Sequence, residues 1–376
     1  MFDYIYLAWQ YLLRNKGTTT ILVASITLIF FLPSALVVVV DDATVHLRSR
    51  SASTPLVVGS RGSQLELVLG TLYFDDPQPE VMRMSQLDRL NAIDCGTTIP
   101  LHTAIRTGDT AIVGTTTEYF KLRKTTLSSG RSLKILGECI VGAKAARRLG
   151  LKVGDKTPVS MQKAFALGDA PLRLNVVGIL ATTETPDDEV IFVDLKTVWI
   201  IEGLGHGHAT GAKHGTSAAA EFTDITSENE SEFHFHGDPS RFPITAVIVQ
   251  PRDTKARTML FGEYLSPEDP AQVVRPGEVM DDMLSRILTV QSYIISIVAI
   301  VSCVTLAVIG LVIMLSIRLR KRELDTMTKM GCSRFAITAI LGCQIVIVLG
   351  VSVIAASGLT MLASSFGHAF VRTFVL

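Results

Sequence analysis

Charge is scarce in this sequence. Only 19% of its 376 residues are Asp, Glu, Lys or Arg, against about 25% in ordinary soluble domains. The shortage has no sign: 35 basic and 35 acidic residues cancel, so the chain lacks the overall positive field by which proteins meet a phosphate backbone, and no nucleic-acid partner is expected. Catalytic signatures are missing as well. There is no G-x-x-x-x-G-K-[ST] loop to cradle nucleotide phosphates, no H-E-x-x-H pair for a metalloprotease, and no G-x-S-x-G elbow. The acidic runs Asp187-Asp188-Glu189 and Asp281-Asp282 have no partner constellation and read as solvated surface carboxylates. These absences argue against an enzyme.

What replaces charge is length of apolar run. No charged residue occurs from Gly17 to Val40, from Ile287 to Ile317, or from Phe335 to Val371. A membrane-spanning helix needs about 20 apolar residues, so each run qualifies, and Pro33 in the first is tolerated in lipid. The first run exceeds the roughly 7–15 residues of a signal-peptide core and no small-residue cleavage site follows, so it reads as an uncleaved anchor. Ahead of it, FDYIYLAWQYLLR places Phe2, Ile5, Tyr6, Trp9, Leu12 and Leu13 on one helical face, with Asp3 and Gln10 opposite. That is an amphipathic interface helix.

Basic residues orient the spans. Arg14 and Lys16 precede the first and Asp41 and Asp42 follow it, while the segment 318–334 holds six Lys or Arg. The positive-inside rule places the N-terminus and this segment in the cytoplasm. The expected organisation is an interface helix at 1–16, spans at 17–40, 287–317 and 335–362, a large external domain at 41–286, a cytoplasmic loop at 318–334 and an external tail at 363–376. Ser364-Ser-Phe-Gly367 is expected to break the third span, and from Gly277 a helical pattern runs straight into the second.

The external domain has mixed α/β character. Strand-like runs lie at 54–60, 110–116, 172–183, 189–195 and 244–250, and helix-like runs at 63–73, 141–151 and 253–265. The interval 202–240 shows no apolar periodicity and reads as a long functional or disordered loop. It carries five of the eight histidines: His206, His208, His214, His234 and His236. Imidazole suits zinc and copper, and an H-x-H pair in extended chain turns both rings to one face, so weak, exchangeable zinc or copper binding is expected here. His102 reads as an ordinary polar position. Of the cysteines, Cys303 and Cys343 fall in spans and Cys332 in the cytoplasmic loop, leaving Cys95 and Cys139 for a possible external disulfide.

The loop RLRKRELDTMTKMGCSR resembles the coupling segment of FtsX-like, MacB-type ABC transporter permeases, with its R-x-R-E entry, helix and Gly-x-x-Arg exit. The stretches GRSLKILGECIVGAKAARRLGLKVGDKTPVS and LRLNVVGILATTETPDDEVIFVDLKTVW are similar to that family's periplasmic core domain, with Gly130, Arg131, Gly142, Ala146, Leu149, Gly150, Gly154, Asp155, Val177, Gly178 and Val193 at its patterned positions. The resemblance implies an α-helical membrane protein of the bacterial inner membrane with a MacB-type α/β periplasmic domain. It further implies a homodimer that works with a separate cytoplasmic ATPase and transmits movement outward to export or extract a substrate, with a periplasmic adaptor or substrate-binding protein and membrane lipid as further partners. Arg320, Arg322, Glu323, Met330, Gly331 and Arg334 become candidates for ATPase contact. The family has four spans and three are present here; a fourth is expected directly after Leu376 or is absent. Two alternatives stand beside transport: a regulatory scaffold that activates a periplasmic enzyme, and a metal-sensing or metal-handling membrane protein.

Overall fold

The computed structural model describes residues 2–75, 78–159, 172–207, 223–319, 326, 329 and 333–374. It divides into two compact units, residues 46–283 and residues 1–45 with 284–375.

The second of these is helical. The amphipathic α1 (Phe2–Arg14) forms as its periodicity requires, followed by α2 (Lys16–Ala52), which contains Pro33. Three helices among the described residues are long and apolar enough to cross a membrane, over Lys16–Asp41, Pro276–Leu311 and Thr338–Ser364. Their large apolar side chains are mostly exposed, Ile21, Ile300 and Ile354 at 68%, 66% and 74%, which is how a surface solvated by lipid differs from one solvated by water. Where helices touch, Leu12, Ile26 and Val348 form a small core. Thr27 and Ser352 add hydroxyl bonds to Ser352 O and Val23 O, polar links of the kind that hold helices together in lipid. The last helix, α10 (Arg334–Phe374), runs unbroken through Ser364-Ser-Phe-Gly367, correcting the expected stop. Nothing there removes a backbone donor as proline does, and the Ser364 hydroxyl is satisfied by the Met361 carbonyl within the helix.

Residues 46–283 form the α/β domain. In chain order its elements are β1 (Leu56–Ser60), α3 (Gln64–Leu72), β2 (Met82–Arg83), α4 (Ser85–Ile93), β3 (Gly96–Thr107), β4 (Thr110–Thr115), α5 (Thr117–Arg123), β5 (Leu127–Gly130), β6 (Glu138–Val141), α6 (Ala143–Leu149), β7 (Lys156–Pro158), β8 (Leu172–Leu180), β9 (Ile191–Asp194) and α7 (Leu195–Ile201). There follow β10 (Gly205–Gly207), β11 (Thr223–Asp224), β12 (Phe233–Phe235), β13 (Pro243–Ile244), β14 (Ala246–Pro251), α8 (Thr254–Glu263), β15 (Ala271–Val274) and the start of α9 (Pro276–Leu319). Among the described residues, eleven strands make one mixed sheet in the order β11-β8-β6-β9-β4-β3-β14-β1-β15, with β5 and β7 also on β8.

Both faces of this sheet are covered, which explains its strands' continuous apolar runs. Alternate residues go to opposite sides. Val57, Ala111, Val113, Ile140, Phe192, Ala246 and Ile248 join one core with Leu72 of α3, Tyr119 of α5 and Met280 of α9. Their neighbours Leu56, Val58, Val247 and Val249 pack on the other side with Leu90, Trp199 and Leu260, and Ile112, Cys139, Val141, Ile191 and Val193 with Ala145 and Val198. Helix starts are fixed locally: Ser63, Asp194 and Asp253 accept backbone N–H groups of α3, α7 and α8.

The Cys95–Cys139 bridge is not formed; both thiols are free and buried. Cys139 lies in β6 and Cys95 directly precedes β3, three strands along the sheet order. At about 4.8 Å per strand that lateral step is roughly twice the reach of a disulfide.

Candidate functional site at the helix–domain joint

Two helices enter the core of the α/β domain end-on: the last turns of α2 and the first turns of α9. Leu47 of α2 and Val279, Met280 and Met283 of α9 pack in the same core as Phe74, Tyr119 and Phe192. At this point the domain buries a charge. The Arg50 side chain is 5% exposed and that of its partner Asp187 is 2% exposed.

The pairing is a fork on a carboxylate. Arg50 Nη1 donates to Asp187 Oδ2 at 2.9 Å and Nη2 to Oδ1 at 2.7 Å, the two-pronged geometry that a planar guanidinium supplies and an ammonium does not. Arg50 Nε donates to the Leu72 carbonyl at 2.6 Å, and Nη2 also to the Tyr119 hydroxyl at 2.8 Å. Tyr119 in turn donates to Asp187 Oδ1 at 2.6 Å. Burial alone would discharge both partners, but their attraction outweighs it. The Asp187 carboxyl is held below its ordinary range, and the Arg50 guanidinium is kept more firmly protonated than in water. Burial pushes the Tyr119 phenol up to about 12, against the pull of Arg50, so it remains a donor at neutral pH. The Tyr73 hydroxyl, also raised by burial to about 12, donates to the Leu47 carbonyl and ties the same helical turn to α3.

A second cation sharpens the dependence on Asp187. Arg123, at the end of α5, sits over the Tyr119 ring at 5.6 Å and donates to Ser53 Oγ at 3.3 Å. Burial first, and then the charge of Arg50, lower its proton affinity.

The acidic run expected to be solvated is instead consumed by structure, which corrects that reading. Asp187 takes Arg50. Asp188 accepts the backbone N–H groups of Thr183 and Glu184 and the Thr183 hydroxyl. Glu189 pairs with Lys144 at 3.0 Å. Gly142 makes this approach possible: a Cβ there would stand 2.3 Å from the Asp187 carbonyl and 2.4 Å from that of Asp188. The run Asp281-Asp282 behaves differently. Asp281 bonds Arg48 Nε at 2.8 Å, with side chains 50% and 61% exposed. Sequence alone offered one signal for this joint, the family-patterned Gly142; Arg50 and Tyr119 carried none.

The remaining sequence candidates fall in three places. Arg320, Arg322, Glu323, Met330 and Gly331 lie outside the described residues, and Arg334 is the first residue of α10. His208 and His214 also lie outside them. His206 is in β10, which pairs antiparallel with β12 so that His206 faces His234 in register. The interval 202–240 is therefore not a structureless loop throughout. Phe233-His-Phe-His236 alternates apolar and polar residues as a half-buried strand does, but only over four positions, and β12 itself spans three residues. Among the described residues no group of three or more His, Cys, Asp or Glu side chains is placed to hold a metal. His102, expected in an ordinary polar setting, is fully buried in β3 with Nε2 3.4 Å from Glu202.

The family model of the MacB-like periplasmic core domain matches residues 19–234, which includes Arg50, Tyr119, Gly142 and Asp187. Among solved structures, the chain is similar to the periplasmic region of MacB from Actinobacillus actinomycetemcomitans at 11% identity and a TM-score of 0.38, over 63% of this chain and 97% of that one. It is also similar to the extracellular domain of the noncanonic ABC-type transporter YknZ from Gram-positive bacteria at 12% identity and a TM-score of 0.33, over 58% and 98%. No curated protein matches the sequence. With more than half of its length matched by the family model and three membrane-length apolar helices beside the α/β domain, the chain belongs to the MacB-like family of ABC transporter permeases.

Proposed function

We propose that this chain is the membrane subunit through which a separate cytoplasmic ATPase moves a periplasmic domain. A permease-type role and an ATPase partner follow from the family; the transmission of movement is the further step. One observation carries it. α2 is continuous from its apolar span to Arg50, and α9 from Met280 to its own span, and both of those residues belong to the core of the α/β domain. Displacing the end of α2 without displacing the domain would separate Arg50 from Asp187 in a dry environment. Breaking such a pair costs about 3–5 kcal/mol, so the helix end and the domain move together.

The positive-inside charge pattern supports a cytoplasmic N-terminus and a cytoplasmic 318–334 segment in the inner membrane. There Arg320, Arg322, Glu323, Met330, Gly331 and Arg334 are the proposed ATPase contacts, arginine being suited to multidentate contact with acidic and carbonyl groups. The functional unit is proposed to be a homodimer engaging a periplasmic adaptor or substrate-binding protein.

The test is made in membranes carrying this chain and its partner ATPase, with a spectroscopic distance label in the α/β domain. Glu323→Lys and Gly331→Pro are expected to leave the protein inserted and the ATPase hydrolysing, while abolishing the nucleotide-dependent change in the label. An unchanged response in both variants would sink the assignment of the coupling segment.

A further inference from the structure

Within the helical unit, α1, the first two turns of α2 and a turn of α10 around Val351 enclose a groove of about 250 Å³. Its floor is the small core that Leu12 and Val348 share with Ile26. Its walls are graded in polarity. On α2 the groove takes Lys16, Thr19, Thr20 and Val23, spaced i, i+3, i+4 and i+7 and therefore on one face. An ammonium and two hydroxyls give way to apolar surface within about 10 Å, at 1.5 Å per residue. The Thr19 hydroxyl is bonded to the Leu12 carbonyl at 3.1 Å, so the exposed Lys16 and Thr20 form the polar end. From α1 come Trp9 and Leu13, both about half exposed.

Charge at the polar end has one sign. Arg14 closes α1, Lys16 opens α2, and the first turn of α2 holds no acidic residue. Among the described residues no carboxylate lines the groove, and α10 contributes no charge between Phe335 and Val371. An uncompensated ammonium beside an apolar groove is complementary to an anionic amphiphile. A free anion would gain nothing from Trp9, Leu13 or Val351. The groove is smaller than the roughly 300–1,000 Å³ of pockets that enclose a whole drug-sized ligand, so it fits the upper part of one acyl chain. Tryptophan favours the headgroup level of a bilayer, and anionic lipid is drawn to basic residues near the membrane surface.

We propose that this groove binds an anionic phospholipid, whose phosphate meets Lys16 and whose acyl chain runs past Trp9 and Leu13 toward Val351. The lipid completes the packing of α1 on α10, at the opposite end of α2 from Arg50. The site requires only that α1 and α2 meet a bilayer. It makes no use of ATPase coupling, and either proposal can fail alone.

The experiment uses the full chain in phosphatidylcholine nanodiscs, into which either phosphatidylglycerol or phosphatidylcholine with brominated, tryptophan-quenching acyl chains is introduced. The chain has two tryptophans, and Trp199, buried in the α/β domain, supplies an unquenched background. Brominated phosphatidylglycerol is expected to quench Trp9 at a mole fraction about fivefold lower than brominated phosphatidylcholine, the preference that one basic residue confers near the membrane surface. Lys16→Ala should erase this preference and Lys16→Arg should keep it. Arg14→Ala, which lies outside the groove, should leave most of it. Inorganic phosphate added at constant ionic strength should leave the quenching unchanged. Equal quenching by the two lipids in the parent chain would overturn the proposal. So would an Arg14→Ala variant that loses the preference as fully as Lys16→Ala, since diffuse surface charge would then explain it. Competition by inorganic phosphate would also overturn it, by showing an anion site that needs no lipid chain.

Discussion

Arg48 and Arg50 stand two residues apart at the end of α2, and each holds an aspartate, yet the two ion pairs have opposite environments. Two helical residues at that spacing point to nearly opposite sides of the cylinder. Arg48 reaches Asp281 on α9 in an exposed pair, and Arg50 enters the core to meet Asp187 from a distant segment, both at 2.7–2.8 Å. The closest contacts are therefore alike, and what differs is the solvent around them and the number of hydrogen bonds, four on Arg50 and one on Arg48 among the described residues. In water the Coulomb gain at this separation is small and screened. In the core, water is replaced by Tyr119, the Leu72 carbonyl and Phe74, and Asp187 is held by Arg50 first and, more weakly, by the charge of Arg123. The exposed pair adjusts two helices; the buried one decides whether the helix end belongs to the domain.

The largest break in this comparison is expected from Asp187→Ala. It strands Arg50 beside Arg123 with no counter-charge, at a cost of about 3–5 kcal/mol. For a domain of this size that is roughly a 6–20 °C fall in the thermal midpoint, read by melting the full chain in detergent. A next, smaller effect separates the pairs by pH. Since the folded-state pKa of Asp187 is depressed by Arg50, its contribution is fully present above the ordinary aspartate value of 3.8 and is lost as pH falls through the lower folded value. Acid titration of the parent should show this loss, and Asp187→Asn, destabilised at neutral pH, should lack that limb; identical acid profiles would contradict the pairing. The smallest effect is Arg48→Ala, at about 0–1 kcal/mol and diminishing with added salt. A loss as large as that of Asp187→Ala would mean that the solvent contrast drawn here is wrong.

Legibility in the sequence followed the range of the forces involved. β1, β4, β8, β9 and β14 were readable because each contains a short apolar run with Val or Ile in it, a pattern that is visible without knowledge of neighbours. β3, a central strand of twelve residues paired to β4 and β14, was missed because Pro100, His102 and four threonines interrupt its apolar character. It holds as a strand because partners on both sides supply the ladder. The interval 202–240 was misread for a related reason: its strands β10 and β12 are three residues each, too short for alternation to stand out. The joint itself was the least legible feature. Arg50 and Asp187 are 137 residues apart, and Asp187 sits in an acidic run whose composition resembles that of Asp281-Asp282.

By itself the sequence determined the parts of this protein that depend on local length and pattern: three segments long and apolar enough to cross a membrane, an amphipathic leading helix, and a MacB-like α/β domain carrying a histidine-rich interval. Hydrophobic length and periodicity act over a few helical turns, so neighbouring residues suffice to set them. Only the tertiary structure decided which aspartate is buried, which histidines lie in register, and which cysteines stay apart. Desolvation and register are set by surfaces brought together from distant positions in the chain, and the same short motif acquires a different chemistry on each side of that packing.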